Sequence, residues 1–501
     1  METSLQIILA VVVGFALWVV VPALWRYYAL CQRMKKYGNP GPAHPFWGHV
    51  KYFNDNDSIT SIYNTVAERS QSKMVGLWMT FIPIIQAVHP DTAKLILQSS
   101  NPKPTAPGQP YNVLKSFLGE GLDTSNGSKW QRNRKLLTPA FHYDILRPYV
   151  KVYNKAADVL LNTYARKMAD GAKSVDIMGD LGLALLDIIL RCSLSYEGNV
   201  QEQENHPYSH AIRRISDLIL KRFLVPWHLL SWRLYMMSAD GKEYKRHIDY
   251  VHGFAEDIIA KRRKVLLEDP TILSNKKKLD FLDILMTAKD ESGAGLTDEE
   301  IRDEVDTFLF AGHDTTYAAL TWALYNLGKY PAEQEIVYQE VCDVTGDRQY
   351  IEWDDLAKLT KTTMFLKENL RLYSPGATTT RLLTKPLELE GQTFPVGSTI
   401  GVNFAVLHRH PDVFENPAEF RPERFLPENV AKRSPYAFIP FSAGSRNCIG
   451  QNFSMNEQKV ILSRIVKRFK VILDEDHEVI DLVKLVIEPK NGIKIRFEER
   501  Q

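Results

Sequence analysis

Cysteine is scarce in this chain. Four occur in 501 residues, at Cys31, Cys192, Cys342 and Cys448, far apart and without a C-x-x-C pair. That spacing excludes a zinc module and a disulfide framework, and it fits a reducing compartment. A surplus of charge is lacking too: the net charge is +2, so no bulk attraction to nucleic acid is implied. No G-x-G-x-x-G occurs, so the chain carries no flavin or nicotinamide fingerprint of its own. Internal repeats and low-complexity tracts are absent. So is a basic segment ahead of the first apolar run, where Glu2 is the only charged side chain. A cleaved signal peptide needs such a segment, and a mitochondrial presequence would be rich in Arg and Ser. What remains is an ordinary globular balance, 45% hydrophobic and 24% charged, in a chain long enough for one very large domain or two to three ordinary ones.

The apolar run extends from Leu5 to Trp25, broken only by Gln6. Its length of about 21 residues is enough for one membrane-spanning helix. Arg26, Arg33, Lys35 and Lys36 follow it, which by the positive-inside rule leaves the body cytoplasmic. Trp18, Trp25, Tyr27 and Tyr28 suit the membrane interface. Pro40, Pro42 and Pro45 then make a stiff, non-helical connector. The chain is expected to divide into an anchor over 1–30, a basic and Pro-rich hinge over 31–50, and a catalytic body over 51–501. Within the body, Val75–Met79 and Ile82–Val88 read as a hairpin and Pro90 opens a short helix. Residues 101–127, with four prolines, read as a long irregular loop. From Ser128 to about Gln339 the pattern is overwhelmingly helical. The aromatic-rich stretch Phe223–Met237 reads either as core or as a loop dipping into a membrane surface. Asn56-Asp-Ser and Asn126-Gly-Ser match glycosylation sequons that a cytoplasmic body would leave unused.

Chemistry concentrates in Phe441-Ser-Ala-Gly-Ser-Arg-Asn-Cys448-Ile-Gly450. Ile439–Phe441 reads as a strand end and Ile449–Phe469 as a helix. Cys448 is then expected at a helix N-terminus, where amide dipoles favour a thiolate. Gly444 and Gly450 would let the backbone approach a flat ligand, and Arg446 could pair with carboxylates. Together these suit a haem, although a lone cysteine is more often a small buried hydrophobe. Thr297-Asp-Glu-Glu300 is a capping box opening a helix to about Lys329. In its middle, Ala311-Gly-His-Asp-Thr-Thr316 sets an acid, Asp314, beside a hydroxyl, Thr315, a pair able to relay protons to reduced oxygen. A helix-bending packing feature is the alternative. Glu368 and Arg371 share a face of a helix over Leu359–Tyr373, and Phe420-Arg-Pro-Glu-Arg-Phe425 offers Arg424 as a third partner. Buried, the three would lock that stretch beneath a cofactor; exposed, they would contribute little. Trp130 and Arg134, four apart on a helix from Ser128 to Leu137, are both donors that could clamp propionates. The plain alternative is a core tryptophan beside a solvated arginine.

The F-x-x-G-x-R-x-C-x-G loop, the Ala311–Thr316 motif, E-x-x-R and P-E-R-F occur in the order and approximate spacing of the cytochrome P-450 superfamily, which the chain resembles along its whole length. The resemblance implies a mainly α fold with small β-sheets (α+β), here preceded by a single transmembrane helix. It implies Cys448 as the axial ligand of a haem b iron, with Phe441 and Gly450 in the cofactor loop. Trp130, Arg134, Arg381 and Arg446 match propionate-binding positions, Asp314 and Thr315 the acid–alcohol pair, and Glu368, Arg371 and Arg424 the structural triad. Glu304-Val-Asp-Thr-Phe-Leu-Phe-Ala311-Gly-His-Asp-Thr-Thr316 resembles the signature of family 4, the fatty-acid ω-hydroxylase group. Leu136–His142, Trp353–Leu356 and Arg433–Gly444 agree with it. Ala311 departs from that signature: most members have a glutamate there that forms an ester to the haem, so non-covalent haem is expected.

The implied reaction inserts one atom of O₂ into a C–H bond of a fatty acid or related lipophilic substrate and reduces the other to water. Electrons would come from NADPH-cytochrome P-450 reductase, with cytochrome b5 as a further donor and Lys129, Arg132 and Lys135 as a docking patch. The pocket is expected from Pro107–Leu122, Val305–Thr316, Pro375–Leu382 and Ile487–Gly492. The expected location is the endoplasmic reticulum membrane, single-pass, with the catalytic body in the cytoplasm. Other readings are a monooxygenase of xenobiotics or steroids, a haem-thiolate isomerase needing no external electrons, and a non-catalytic haem protein. The intact Asp314–Thr315 pair argues against the isomerase.

Overall fold

The architecture is laid out around one helix, Asp298–Lys329. Its start is fixed by a reciprocal cap: Thr297 Oγ1 accepts the Glu300 N–H at 3.2 Å, and Glu300 Oε2 accepts the Thr297 N–H at 2.9 Å. Three acidic residues in the first turn complement the helix dipole, and Pro331 follows the end. Its second half is mostly buried, with Leu320, Ala323, Leu324 and Leu327 inaccessible to solvent. Truncating one such leucine costs about 2–5 kcal/mol. Helices Ile177–Leu194, Ala239–Glu268, Thr360–Leu372 and Gln451–Arg468 pack around it. The computed structural model describes residues 2–34, 37, 43–44, 47–49, 59–69, 72–80, 82–274 and 279–500.

The sheets are small and lie to one side. Strands Met74–Met79 and Ile82–Ala87 form the expected antiparallel hairpin. The second strand then pairs in parallel with Thr399–Asn403, which pairs antiparallel with Thr378–Leu382. Two two-stranded ribbons and a three-stranded sheet complete the β structure among the described residues. The chain is therefore mainly helical with small sheets, as its patterning implied.

Several expectations need correction. Residues 101–127 are not wholly irregular: Asn112–Leu118 is a helix with Val113, Phe117 and Leu118 buried. The prolines cluster ahead of it and the glycines behind it, so the apolar spacing between them is free to coil. Ile439–Phe441 forms no strand, and the helix after the cysteine runs from Gln451 to Arg468. Phe223–Met237 divides between the two readings. It forms helices Pro226–Leu230 and Trp232–Met237, with Leu229 and Tyr235 buried but Trp227, Leu230, Trp232, Leu234 and Met237 exposed.

At the N-terminus, helix Glu2–Met34 contains a 20-residue stretch, Val13–Gln32, long and apolar enough by length and composition to cross a membrane. Phe15, Leu17, Trp18, Leu24 and Trp25 on it are exposed, and such a surface is stable only under lipid or protein. The expected hinge over 31–50 is seated on the body where it is described: Met34 and Tyr37 are buried in one cluster with Ile85 and Phe394. Most of the proline connector and the Asn56 sequon lie outside the described residues.

Candidate functional site around Cys448

Cys448 lies two residues ahead of Gly450, the N-cap of helix Gln451–Arg468. Its N–H donates to the Phe441 carbonyl at 2.8 Å, closing the loop on itself. Gly444 adopts φ +77, and a β-carbon there would run into the carbonyl oxygen of Leu97. That glycine serves packing against helix Pro90–Leu97 rather than a ligand, contrary to the sequence reading. At Gly450 a β-carbon would sit 3.9 Å from Cys448 Sγ, an ordinary contact. The sulfur is accessible, but what it faces is an internal cavity of about 330 Å³. Burial pushes the Cys448 thiol above its ordinary pKa, while the Gly450 N–H and Arg134 oppose the shift. The helix terminus alone therefore does not make the thiolate; a cation bound to the sulfur would.

Eight of the expected residues line that one cavity: Trp130, Arg134, Ala311, Thr315, Phe441, Arg446, Cys448 and Gly450. Arg446 donates to the Ser125 carbonyl and to Asn126 Oδ1, both at 3.0 Å. Its guanidinium lies 4.3 Å from the Trp130 ring centroid, so Trp130 supports Arg446 with its face. Arg134 donates to the backbone and side-chain oxygens of Asn447, both at 2.9 Å. Arg381 does not line the cavity; it is buried behind it, donating to Thr379 Oγ1 and the Thr380 carbonyl. Burial first, and then the neighbouring Arg381, lower the Arg446 pKa to about 10. Among the described residues none of these three arginines is ion-paired to a carboxylate. An accessible thiol beside clustered arginines that lack carboxylate partners is the complement of an iron macrocycle with two propionates, so the residues present fit haem.

The central helix supplies another wall. Thr315 Oγ1 donates to the Ala311 carbonyl at 2.7 Å. The helix is unbroken here, and Gly312 admits the neighbouring helix: a β-carbon on it would lie 2.7 Å from Ile189 Cδ1. Asp314 is not brought into this cavity. Consecutive helix residues point about 100° apart, and its carboxyl sits 2.8 Å from His313 Nδ1, facing a separate small cavity. Segment Ile487–Gly492 is also absent from the wall. The Ile487 carbonyl accepts the Trp322 Nε1–H at 2.9 Å and its N–H donates to the Pro375 carbonyl at 3.2 Å.

Sequence reasoning missed Lys103, Asp123, Ile189 and Ser193, which do line the cavity. Lys103 is ion-paired with Asp123. No short motif marks these residues, because they meet only through the fold. Asn126, read as a sequon, is committed internally: it accepts from Arg446 and from the Lys103 N–H.

Below the cysteine loop, Glu368 and Arg371 are both inaccessible to solvent and make two bonds of 2.7 and 2.8 Å. Arg424 approaches Glu368 at 3.4 Å. Arg371 also donates to the carbonyls of His408, Pro417 and Glu419, and Glu368 accepts the Arg421 N–H. His408 Nε2 accepts the Ile439 N–H at 3.0 Å, carrying the brace to the segment that enters the cysteine loop. Burial, with Arg371 and Arg409 close by, holds His408 neutral. The surface-pair alternative is thereby excluded.

The expected docking patch is already neutralised within the chain. Lys129 pairs with Glu120 at 3.0 Å, Arg132 with Asp290 at 2.8 Å and Lys135 with Glu291 at 2.5 Å. A groove lined by Thr138, Pro139, His142, Gln451 and Asn452 reaches Cys448 from the molecular surface.

A profile of the cytochrome P-450 family matches residues 39–497. Cytochrome P-450 4F6 of Rattus norvegicus is 39% identical, covering 97% of this chain and 92% of the relative. The ultra-long-chain fatty acid omega-hydroxylase of Homo sapiens is 37% identical, covering 94% and 90%. The leukotriene-B4 omega-hydroxylase 3 of Mus musculus is 37% identical, covering 96% and 94%. Among solved structures, the cytochrome P-450DA heme domain matches with a TM-score of 0.80 at 25% identity, covering 93% of this chain and 98% of that one.

Proposed function

The chain belongs to the cytochrome P-450 family and is a monooxygenase of lipophilic substrates; we propose that its own substrates are long-chain fatty acids or related lipids, with electrons from a membrane-bound NADPH-dependent reductase. The observation that carries this reading is the cavity in which the Cys448 thiol meets arginines lacking any carboxylate partner. Haem bound there supplies the activation of O₂ and its transfer to a C–H bond. Cys448 would ligate the iron. Arg134 and Arg446, with Arg381 behind them and Trp130 beneath Arg446, would hold the propionates. Glu368, Arg371 and Arg424 would brace the loop from below. Leu122, Ile189 and Phe308 give the cavity apolar walls suited to an acyl chain and able to exclude water. Thr315 presents its hydroxyl on the same wall, where it could hold a proton near the reacting oxygen. Ala311 carries no carboxyl, so the haem is held non-covalently.

The relatives named for fatty acids and a leukotriene act on long apolar molecules, and an apolar N-terminal helix fits supply from a bilayer. The positive residues after that helix favour an endoplasmic reticulum protein with a cytoplasmic body. The groove reaching Cys448 past Thr138 and Gln451 offers the redox partner its shortest approach to the cofactor; cytochrome b5 would use the same face. The test is a reconstituted full-length protein with reductase, NADPH and a panel of lipids, read by mass spectrometry. The expected product is a hydroxylated fatty acid formed only with NADPH. An unmodified lipid panel beside a normal reduced-CO spectrum would refute the substrate assignment. Product without NADPH would mark an isomerase instead.

A further inference from the structure

We propose that His313 is a positioning residue: it shares one proton with Asp314 and holds that carboxyl on the side of the central helix facing away from Cys448. The inference deepens the monooxygenase reading, since the proton is one that oxygen reduction consumes.

His313 Nε2 lies 2.9 Å from the Gly182 carbonyl oxygen, and Nδ1 lies 2.8 Å from Asp314 Oδ1. A carbonyl can only accept, so Nε2 carries a hydrogen. A neutral imidazole with hydrogen on Nε2 has a bare Nδ1, and a bare nitrogen facing a carboxylate makes no bond. The contact therefore contains one further proton, resident on the carboxyl or on the imidazole. The ring is buried and stacked on Tyr317, the planes 2° apart, so it is held in this orientation.

On its outer side the carboxyl meets a cavity of about 20 Å³, room for one water molecule. Ser216, on its wall, has a buried hydroxyl with no protein partner, as expected if a water supplies one. The charges around the pair come from three directions. Helix Pro207–Leu224 contributes Arg213 and Asp217, with Tyr208 near Asp314 and His206 near His313. The segment before and within Ile487–Pro489 contributes Lys484 and Glu488. The central helix adds Tyr317, and Asp176 lies near that tyrosine. Lys484 pairs with Asp217 at 2.9 Å and also with Glu488. Burial raises the Glu488 pKa and Lys484 opposes it, so a second buried carboxyl, ion-paired with Lys484, borders the same water site.

The proton balance closes. To give its proton toward the Cys448 cavity the Asp314 carboxyl has to leave His313 and turn to the Thr315 side of the helix, which leaves a neutral imidazole and, after transfer, a carboxylate. It takes one back from the water site, which draws it from solvent. The neighbouring Thr315 hydroxyl already lines the receiving cavity.

The test uses full-length holoenzyme labelled with ¹⁵N-histidine, in the diamagnetic ferrous–CO state. The His313 signals are those lost in His313→Gln. Wild-type His313 is expected to show no pyridine-type nitrogen free of a hydrogen bond, whereas Asp314→Ala creates one. His313→Gln keeps a donor for the Gly182 carbonyl but cannot share the proton. Product per NADPH is expected to fall about tenfold, with hydrogen peroxide rising and the CO spectrum unchanged. A wild-type Nδ1 with the shift of a pyridine-type nitrogen free of any hydrogen bond overturns the proposal, and that measurement stands even if the variant folds poorly. Wild-type coupling in a folded His313→Gln overturns it as well. If the shared proton is present but no lipid is oxidised, the proposal stands and the monooxygenase reading falls.

Discussion

At the scale of single residues, two carboxyl questions decide much of the chemistry. Ala311 occupies the cavity wall beside Thr315, and the acid that does line that cavity, Asp123, is already paired with Lys103. Among the described residues the cavity lining then offers no unpaired carboxyl to esterify a bound haem. On denaturing reversed-phase chromatography the haem should separate fully from the polypeptide, and Ala311→Glu should retain a measurable fraction. Co-elution of haem with wild type would refute non-covalent binding. The second carboxyl is Glu304, which accepts the Leu122 N–H at 2.9 Å and the Asn133 Nδ2–H at 3.0 Å. Burial outweighs both bonds and raises its pKa to about 7. The folded state then holds this proton more tightly than the unfolded chain does. Its stabilising contribution is complete below about pH 4.5 and is lost as pH rises through about 7, an effect of roughly 3 kcal/mol. The urea midpoint of wild type should drop more steeply between about pH 5 and pH 8 than that of Glu304→Gln; parallel curves would remove Glu304 from the account.

At the scale of elements, the brace beneath the cysteine loop is the part most exposed to single changes. Glu368→Gln removes the charge partner of a fully buried Arg371 guanidinium. Stranding one member of such a pair costs about 3–5 kcal/mol. The expected outcome is a sharp fall in haem-loaded yield and in thermal midpoint. Arg424→Met, at the longer 3.4 Å contact, should cost less; equal losses would mean the two arginines share the load evenly. The i, i+3 spacing made this pair legible in the sequence, because helix periodicity puts both residues on one face. Their burial was not legible, since the carbonyls that enclose Arg371 come from residues 408–419. The same divide runs through the chain. The capped central helix, the 74–87 hairpin and the Pro90 helix were readable from local signals. Helix Asn112–Leu118 was hidden by the prolines before it and the glycines after it, and Gly444 was assigned to a ligand because Leu97 is distant in sequence. Asp314 shows the limit most clearly. Its neighbour in the motif lines the cavity, but rotation along the helix takes its carboxyl elsewhere.

At the scale of the whole molecule, two apolar surfaces lie nearly two hundred residues apart in sequence: the helix holding Val13–Gln32, and the short helices over 226–237. The second exposes Trp227, Leu230, Trp232, Leu234 and Met237. Leu230 also reaches the loop ahead of helix Asn112–Leu118, where a β-carbon on Gly108 would come within 3.1 Å of it. Tyr111, three residues on, lines the Cys448 cavity. The apolar patch thus borders the wall of the reaction chamber, and lipid contact there would place that wall at the bilayer surface. If the helix over Val13–Gln32 spans a bilayer it already supplies the attachment, and the patch would then act on orientation and substrate entry. Burying each large apolar side chain in lipid is worth about 1.5–3 kcal/mol. The double substitution Trp227→Ser and Trp232→Ser should therefore leave the full-length protein in the membrane fraction. It should raise the apparent KM for a fatty acid presented in vesicles roughly tenfold, with kcat and the KM for the same lipid in detergent micelles nearly unchanged. Equal KM changes in both media would mean that these tryptophans shape the internal pocket rather than the passage into it.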